Sequence, residues 1–222
     1  MNLLQPQDSR SRRPGDSAAA VAARHRLHER GVTAPLLAAI ASLLEATPRD
    51  TVLDAGCGDG FYLGNITHLS GCAGFGVDIS KPSVDAAARK YPACQWIAAN
   101  ADRFLPWADG SFSAVLSITA RRNPGEFRRV LEKGGRLLLA VPAADDLIEL
   151  RGTGRDRAPG VLEEFSADFE LLEKGRGATT AELDGAAVDD VLHSIYRPLQ
   201  PQPAVAMRLT FSLDLLLLRA RA

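Results

Sequence analysis

Apolar residues along the chain alternate between short unbroken runs and longer stretches with helical spacing. The short runs predict strands at residues 51–55, 74–77, 95–98, 114–118 and 136–141. The helically spaced stretches between them predict helices at residues 60–70, 81–90 and 124–131. Strands that alternate with crossover helices form parallel sheets. We therefore predict an α/β fold, a Rossmann-like open twisted sheet of about seven mostly parallel strands with helices on both faces.

The flanking segments add helices before this pattern and an antiparallel element after it. The spacing predicts helices at residues 18–30 and 35–46. The closing third predicts a strand at 169–173, a helix at 182–193 and a strand at 208–217, which would add a C-terminal antiparallel hairpin to the sheet. Residues 151–161 are rich in Gly and Arg and predict a loop, and a Pro-rich link follows at 198–203. We expect residues 1–47 to form a basic arm with helices and residues 48–222 to form one structural unit.

Composition excludes a disordered tail, a collagen-like fibre and a disulfide-stapled miniprotein. The chain has 222 residues, 46% hydrophobic and 24% charged, which is typical of a soluble domain with a core. The 26 Lys and Arg against 27 Asp and Glu give no global positive field, although a local basic patch is compatible with this balance. No run reaches the roughly 18 apolar residues of a membrane span. The three cysteines form no CxxC pair, and the four histidines show no metal-ligand spacing with them. We expect a cytoplasmic protein with no metal site and no membrane partner.

One glycine-rich segment carries most of the chemical information. The buried run Val52-Leu53-Asp54-Ala55 leads into Gly56-Cys57-Gly58-Asp59-Gly60, and a predicted helix follows. Glycines at alternate positions permit a tight turn and let backbone N–H groups approach a ligand. The spacing is GxGxG rather than the GxGxxG of dinucleotide sites, and Asp54 would repel a pyrophosphate. An ammonium group would be attracted, and S-adenosylmethionine carries one without any phosphate.

The ends of the next two predicted strands are also polar. Asp78 ends the second strand in Gly76-Val77-Asp78-Ile79-Ser80, where an acid accepts hydrogen bonds from both ribose hydroxyls of a nucleoside. Asn100-Ala101-Asp102 follows the third strand and offers polar groups to an adenine edge.

Taken in order, these motifs resemble the class I S-adenosylmethionine-dependent methyltransferases over about residues 50–142. The resemblance implies that S-adenosylmethionine is the cofactor. It also implies the cofactor-binding residues: Asp54, Gly56, Gly58 and Gly60 for the methionine part, Asp78 for the ribose, Asn100, Ala101 and Asp102 for the adenine, and Asp59 and Ile79 as further cofactor contacts.

The flanks narrow the resemblance to the large-subunit ribosomal RNA guanine-N1 methyltransferases, which include tylosin-type resistance enzymes. The matching segments are Asn2-Leu3-Leu4, Arg10-Ser11-Arg12-Arg13-Pro14-Gly15-Asp16-Ser17, Asp78-Ile79-Ser80-Lys81, residues 87–92, Arg122-Asn123-Pro124, Glu126-Phe127 and residues 141–150. In that family the arm lies close to the cofactor and target pocket. The resemblance therefore makes Arg10 and Arg12 candidate cofactor contacts, and it implies an rRNA partner.

The sequence departs from this family in its acceptor half. A four-cysteine zinc ribbon is expected before the arm, and no cysteine lies in the first fifty residues. An Ala-Pro pair is expected after the fourth strand, where this chain has Ala120-Arg121. The C-terminal Met-Thr/Gly-Pro element is replaced near Ser194-Ile195-Tyr196. We expect the cofactor half of the site to be preserved and the acceptor half to be altered.

Three functions therefore remain open: rRNA guanine-N1 methylation, methylation of a small molecule on the same scaffold, and cofactor binding without methyl transfer. A basic run after the fourth strand bears on the first of them. Its members are Arg121, Arg122, Arg128, Arg129, Lys133 and Arg136. They form either a phosphate-binding face or an ordinary solvated helix face. Neither the catalytic groups nor the oligomeric state can be assigned from the sequence.

Overall fold

The structure is a computed structural model that describes residues 1–4, 15–195 and 202–221. The strands in these residues are β1 Thr51–Ala55, β2 Ala73–Asp78, β3 Gln95–Ala98, β4 Phe112–Ile118, β5 Leu131–Pro142, β6 Phe169–Leu183 and β7 Met207–Ala220. The helices are α1 Ala18–Glu29, α2 Ala34–Leu44, α3 Phe61–Ser70, α4 Lys81–Lys90, α5 Pro124–Val130, α6 Ile148–Arg151, α7 Ala158–Phe165 and α8 Gly185–Ser194.

The seven strands of the described residues form one sheet in the order β3-β2-β1-β4-β5-β7-β6. Strands β1 to β5 pair in parallel, whereas β7 runs antiparallel to both β5 and β6. The predicted open, mostly parallel sheet with antiparallel C-terminal strands is confirmed. The strand order reverses between β1 and β4, and ligands of open α/β sheets bind at such a reversal, outside the carboxyl ends of the strands.

The central strands are buried on both faces, which is why they appear as unbroken apolar runs. In β5 the side chains alternate, with Leu138 and Ala140 packing into one core and Leu137, Leu139 and Val141 into the other. Helices cover both faces, as predicted. The first core receives side chains of α1, α2, α3, α4 and α8, and the second receives those of α5 and α7.

Strand β6 extends ten residues beyond the predicted end at residue 173, to Leu183. Gly175 and Gly177 interrupt the alternation of apolar and polar side chains in this stretch, so the sequence pattern does not predict a strand there. These glycines are also needed for packing. A Cβ added at Gly177 would lie 3.1 Å from Cβ of Ala39, so this glycine lets α2 approach the strand. Helix α8 accordingly begins later than predicted, where the Asp184 carboxylate accepts a hydrogen bond of 2.8 Å from the Ala187 amide.

The predicted loop over residues 151–161 is wrong at both ends. Arg151 closes α6, and α7 begins at Ala158 with a proline in its first turn. The Asp156 carboxylate accepts a hydrogen bond of 3.0 Å from the Ala158 amide and so supports the helix start. Most of the predicted Pro-rich link at 198–203 lies outside the described residues.

Candidate cofactor and acceptor site

The glycine loop joins β1 to α3 in a conformation that requires glycine. Gly56, Gly58 and Gly60 have φ of +89°, +53° and +78°, the region that favours glycine. Two of them also have no room for a side chain. A Cβ at Gly56 would lie 2.3 Å from Cβ of Ala120, and one at Gly60 would lie 2.6 Å from the Trp96 ring. The loop therefore presents bare backbone at the carboxyl end of β1.

Asp54 lies beside this loop near the end of β1 and is almost completely buried. Its Oδ1 atom has no hydrogen-bond partner among the described residues. Burial, and secondarily the charge of Asp78, raises the pKa of this carboxyl to about 8. A buried carboxyl oxygen without a donor is costly, so the position is suited to a cationic donor supplied from outside the chain.

Asp78 ends β2, the neighbouring strand, and connects it to the loop. Its Oδ2 accepts a hydrogen bond of 2.9 Å from the Gly58 amide, and its Oδ1 accepts one of 2.7 Å from the Ser80 amide. Burial raises the pKa of this carboxyl, and the two backbone hydrogen bonds oppose that effect. Ile79 follows it, and a Cβ at Gly15 would lie 2.9 Å from the Ile79 side chain. Residue 15 of the arm therefore packs directly onto this strand end.

Residues 100–102 follow β3 and are connected to the segment after β4. The Asn100 side chain accepts a hydrogen bond of 3.1 Å from the Asp102 amide, and the Asn123 side chain donates one of 2.9 Å to the Asp102 carbonyl. The Asp102 carboxylate lies 3.4 Å from the Arg121 guanidinium. Ala101 packs partly buried against the core. The structure thus brings Asp54, Asp78 and residues 100–102 to the same edge of three adjacent strands.

Asp59 also belongs to the loop, but its carboxylate is directed toward α1. It is buried and lies 3.6 Å from Nε2 of His28 and 3.6 Å from Nδ1 of His25. Burial lowers the pKa of His28 to about 4, so its ring is neutral near pH 7, and it stacks on Phe61 at 3.9 Å between ring centroids. In this structure Asp59 contacts α1, and the predicted cofactor contact of this residue stays a prediction.

Arg10 and Arg12, the candidate contacts of the arm, lie outside the described residues. The described parts on either side are attached near the site. The Leu3 amide donates a hydrogen bond of 2.7 Å to the Ala98 carbonyl at the end of β3. The Ser80 hydroxyl donates one of 2.7 Å to the Asp16 carbonyl. The roles of both arginines stay predictions.

Comparison with known proteins identifies the family of this chain. Residues 52–138 match the methyltransferase domain family. The chain is 35% identical over 188 residues to the 23S rRNA (guanine(748)-N(1))-methyltransferase of Streptomyces fradiae, covering 80% of this chain and 67% of that protein. The chain belongs to the class I S-adenosylmethionine-dependent methyltransferases. Among them it resembles the 23S rRNA guanine-N1 enzymes, as its motifs predict.

Two further relatives of this methyltransferase are named for the same guanine-N1 activity. One, from Micromonospora griseorubida, is 34% identical over 167 residues, and one, from Bacillus subtilis, is 37% identical over 132 residues. The matches cover 68% and 55% of this chain and 56% and 46% of those relatives. The chain therefore spans about half to two thirds of the length of the curated relatives it matches.

Solved structures agree on the fold of the methyltransferase. A methyltransferase from Thiobacillus denitrificans in complex with S-adenosylhomocysteine matches with a TM-score of 0.58 at 17% identity, covering 83% of this chain and 90% of that one. A tRNA (m1A58) methyltransferase from Aquifex aeolicus matches with a TM-score of 0.57 at 15% identity, covering 85% and 69%. At these identities the likeness concerns the fold alone.

The predicted acceptor side begins where β4 ends. Thr119 has φ of +51°, a strained value for a β-branched residue. Ala120 then packs against Gly56, and Arg121 turns outward with its side chain 70% exposed. The altered Ala120-Arg121 pair therefore places a small residue against the glycine loop and a cation at the surface. Tyr196, of the altered C-terminal element, lies outside the described residues.

Several arginines of the basic run are already bound within the protein. Arg129 donates to the carbonyls of Leu105 and Trp107 at 2.8 and 2.7 Å and pairs with Glu126 and Asp109. Arg136 pairs with Asp50 at 2.9 Å and donates to the Leu44 carbonyl. The remaining members make fewer such contacts, with Arg122 pairing with Glu164 and Arg128 donating to the Arg221 carbonyl. The run is therefore not a single free basic face.

Across residues 1–4, 15–195 and 202–221, no group of three or more His, Cys, Asp or Glu side chains could hold a metal ion. In the same part of the chain, no helix has the length and apolar character needed to cross a membrane.

Arg24 lies near the loop, but nothing in the local sequence predicts it as a site residue. Arg24 belongs to an Ala- and Arg-rich stretch of α1 and differs in no local way from its neighbours. Only the packing of α1 over the glycine loop brings it to the site, where a Cβ added at Gly58 would lie 3.4 Å from its Nη1 atom.

Proposed function

We propose that this methyltransferase binds S-adenosylmethionine at the carboxyl ends of β1, β2 and β3 and methylates a guanine N1 of large-subunit rRNA. The observation that carries the binding proposal is the buried Oδ1 of Asp54, which lies beside the glycine loop and has no hydrogen-bond partner in the described part of the chain. An ammonium group satisfies this oxygen and also compensates the charge of the carboxylate.

The remaining candidate residues fit the same ligand. The glycine loop provides space and backbone amides beside Asp54, and Asp78 provides carboxylate oxygens for ribose hydroxyls. Residues 100–102 follow β3 and offer polar groups to an adenine. Two neighbouring acids at this edge would repel the pyrophosphate of a dinucleotide, which favours a phosphate-free adenosyl ligand.

When bound, S-adenosylmethionine supplies an activated methyl group on its sulfonium. The chain contributes position, because methyl transfer is fastest when acceptor and methyl are held in line. The strained turn at Thr119 and the contact of Ala120 with Gly56 fix the backbone between the cofactor edge and the acceptor edge. A guanine N1 must also lose its proton, so an acceptor group or backbone carbonyl on this side is required.

Support for an RNA acceptor comes from the relatives named for 23S rRNA guanine-N1 methylation. The exposed Arg121 guanidinium at the end of β4 provides a cation at the mouth of the proposed pocket. The test is transfer of labelled methyl from S-adenosylmethionine into 23S rRNA from cells that lack this modification, with and without RNase treatment.

The expected result is RNase-sensitive label that maps to one guanine, with strongly reduced label for Asp54→Asn at limiting S-adenosylmethionine. Label confined to the small-molecule fraction of a cell extract would overturn the RNA proposal and favour the small-molecule alternative. Cofactor binding without label in any fraction would favour a binding protein without methyl transfer.

A further inference from the structure

We propose that Arg24 binds the carboxylate of the cofactor's amino-acid end and so makes the protein selective for adenosyl ligands that carry this group. The inference rests on the proposed function, since it concerns the same cofactor. It adds a residue from α1, which lies outside the segment that matches the methyltransferase domain family.

Two contacts fix the position of the Arg24 guanidinium. Its Nη2 donates a hydrogen bond of 3.0 Å to the Ser194 carbonyl and lies 2.7 Å from a carboxylate oxygen of Asp16. Its Nη1 faces the glycine loop, where the position of a Cβ at Gly58 is 3.4 Å away. One edge of the guanidinium is therefore held by the protein, while the other is directed at the loop that receives the methionine part.

The charges around the loop make a cation necessary there. Asp54 and Asp78 lie at the site, and the charge of Asp16 is close enough to raise the pKa of Asp78. These acids attract the ammonium of an amino acid but repel its carboxylate. Arg24 is the cation whose charge lowers the pKa of Asp78, so its field reaches this part of the site. A guanidinium forms strong paired hydrogen bonds with a carboxylate.

Nη1 of Arg24 lies near the bare backbone of Gly58. The position of a Cβ on this residue is 3.4 Å from Nη1, an ordinary van der Waals distance, and the φ of Gly58 is +53°. The amide of the same residue donates to Asp78. Gly58 therefore lies between two groups: the carboxylate of Asp78, which we propose binds the ribose, and the guanidinium of Arg24.

The test compares two ligands that differ only in the carboxylate, S-adenosylmethionine and its decarboxylated form, by titration calorimetry. We expect the wild-type protein to prefer S-adenosylmethionine by about tenfold or more. Arg24→Gln removes this preference, lowering the affinity for S-adenosylmethionine and leaving that for the decarboxylated ligand unchanged or slightly higher. Arg24→Lys retains a charge without the paired geometry and gives an intermediate preference.

Lys90→Gln is the matched control, because Lys90 is an exposed cation near α1 whose amino group lies 3.4 Å from the His25 ring rather than at the loop. It should keep the full preference. An equal loss of affinity for both ligands in Arg24→Gln and Arg24→Lys would overturn the inference and assign Arg24 a structural role. An unchanged preference in Arg24→Gln would also overturn the inference. If the wild-type protein bound neither ligand, the proposed function itself would fail, which is a different result.

Discussion

The two halves of the site are built in different ways. At the carboxyl ends of β1 and β2, the groups are the buried Asp54, the partly exposed Asp78 and bare backbone, with the Gly58 amide donating a hydrogen bond to Asp78. After β4, the groups are exposed charged side chains, such as Arg121, paired across loops. The proposed cofactor half is therefore formed by the fold itself, whereas the proposed acceptor half depends on side chains that can exchange partners.

The two halves meet at the Arg121–Asp102 pair, 3.4 Å apart, and at the contact of Ala120 with the Gly56 backbone. Ala120 fills the space that a Cβ of Gly56 would need, directly after the strained turn at Thr119. A change at the Gly56–Ala120 contact should therefore affect both halves together, whereas changes elsewhere should separate them.

The largest effect is expected for Gly56→Ala. Its Cβ would lie 2.3 Å from that of Ala120, at a φ of +89°. We expect the free energy of unfolding to fall by about 3 kcal/mol and cofactor binding to be lost. Urea denaturation and calorimetry measure both.

Gly134→Ala is the control, because φ there is +75° and nothing lies within 4 Å of the added Cβ. It should cost only about 1 kcal/mol of backbone strain. Adding Ala120→Gly to Gly56→Ala should recover part of the loss. Equal costs for the two single glycine changes would mean that the contact with Ala120 is unimportant.

The second prediction separates binding from stability at Asp54. Asp54→Asn should reduce the affinity for S-adenosylhomocysteine at least about thirtyfold, since the ammonium loses its charged partner. In the ligand-free native protein, the pKa of Asp54 is about 8 instead of the usual 3.8, so this carboxyl stays protonated up to about that pH. The free energy of unfolding therefore falls as the pH rises between these values, and the contribution is lost above the higher one.

Asp54→Asn removes this pH dependence. At pH 8.5 the ligand-free variant should be more stable than the wild type by about 1 kcal/mol or more, while at pH 4 the difference should vanish. Urea denaturation at both pH values measures the change. A variant less stable than the wild type at pH 8.5 would contradict the raised pKa.

The third prediction concerns the basic run on the acceptor side. Arg129→Ala should lower the free energy of unfolding by about 2 kcal/mol, because it removes hydrogen bonds to the carbonyls of Leu105 and Trp107 and the charged partner of the Glu126 carboxylate. The salt dependence of RNA binding should not change. Lys133→Ala, at an exposed position of the same run, should change stability by less than about 0.5 kcal/mol. Weakened RNA binding with unchanged stability would place Arg129 on an RNA-contacting surface instead.

The smallest effect is expected for Arg121→Ala. Its guanidinium is 70% exposed, so the loss should be a several-fold decrease in kcat/KM for RNA, with the slope of log affinity against log salt reduced by about one. Affinity for S-adenosylhomocysteine alone should change less than about twofold. A cofactor affinity that fell as far as the RNA affinity would remove the distinction between the two halves.

Much of the fold and the cofactor half could be predicted because their signals are local. Buried strands leave apolar runs, and parallel strands bring the residues at their carboxyl ends together, so Asp54 and Asp78 could be placed from the sequence. The position of Arg24 could not, since it depends on how α1 packs over the loop. The partners of Arg129 could not either, because a run of cations does not show which of them are already paired.

The position of β7 has a consequence for synthesis on the ribosome. This strand lies between β5 and β6, yet it is the last of the described strands to be made. Until Met207–Ala220 leaves the exit tunnel, β5 has one unpaired edge and β6 has no strand to pair with. A nascent chain that stalls before this point exposes both edges to other chains, so the synthesis of β7 also protects the sheet against aggregation.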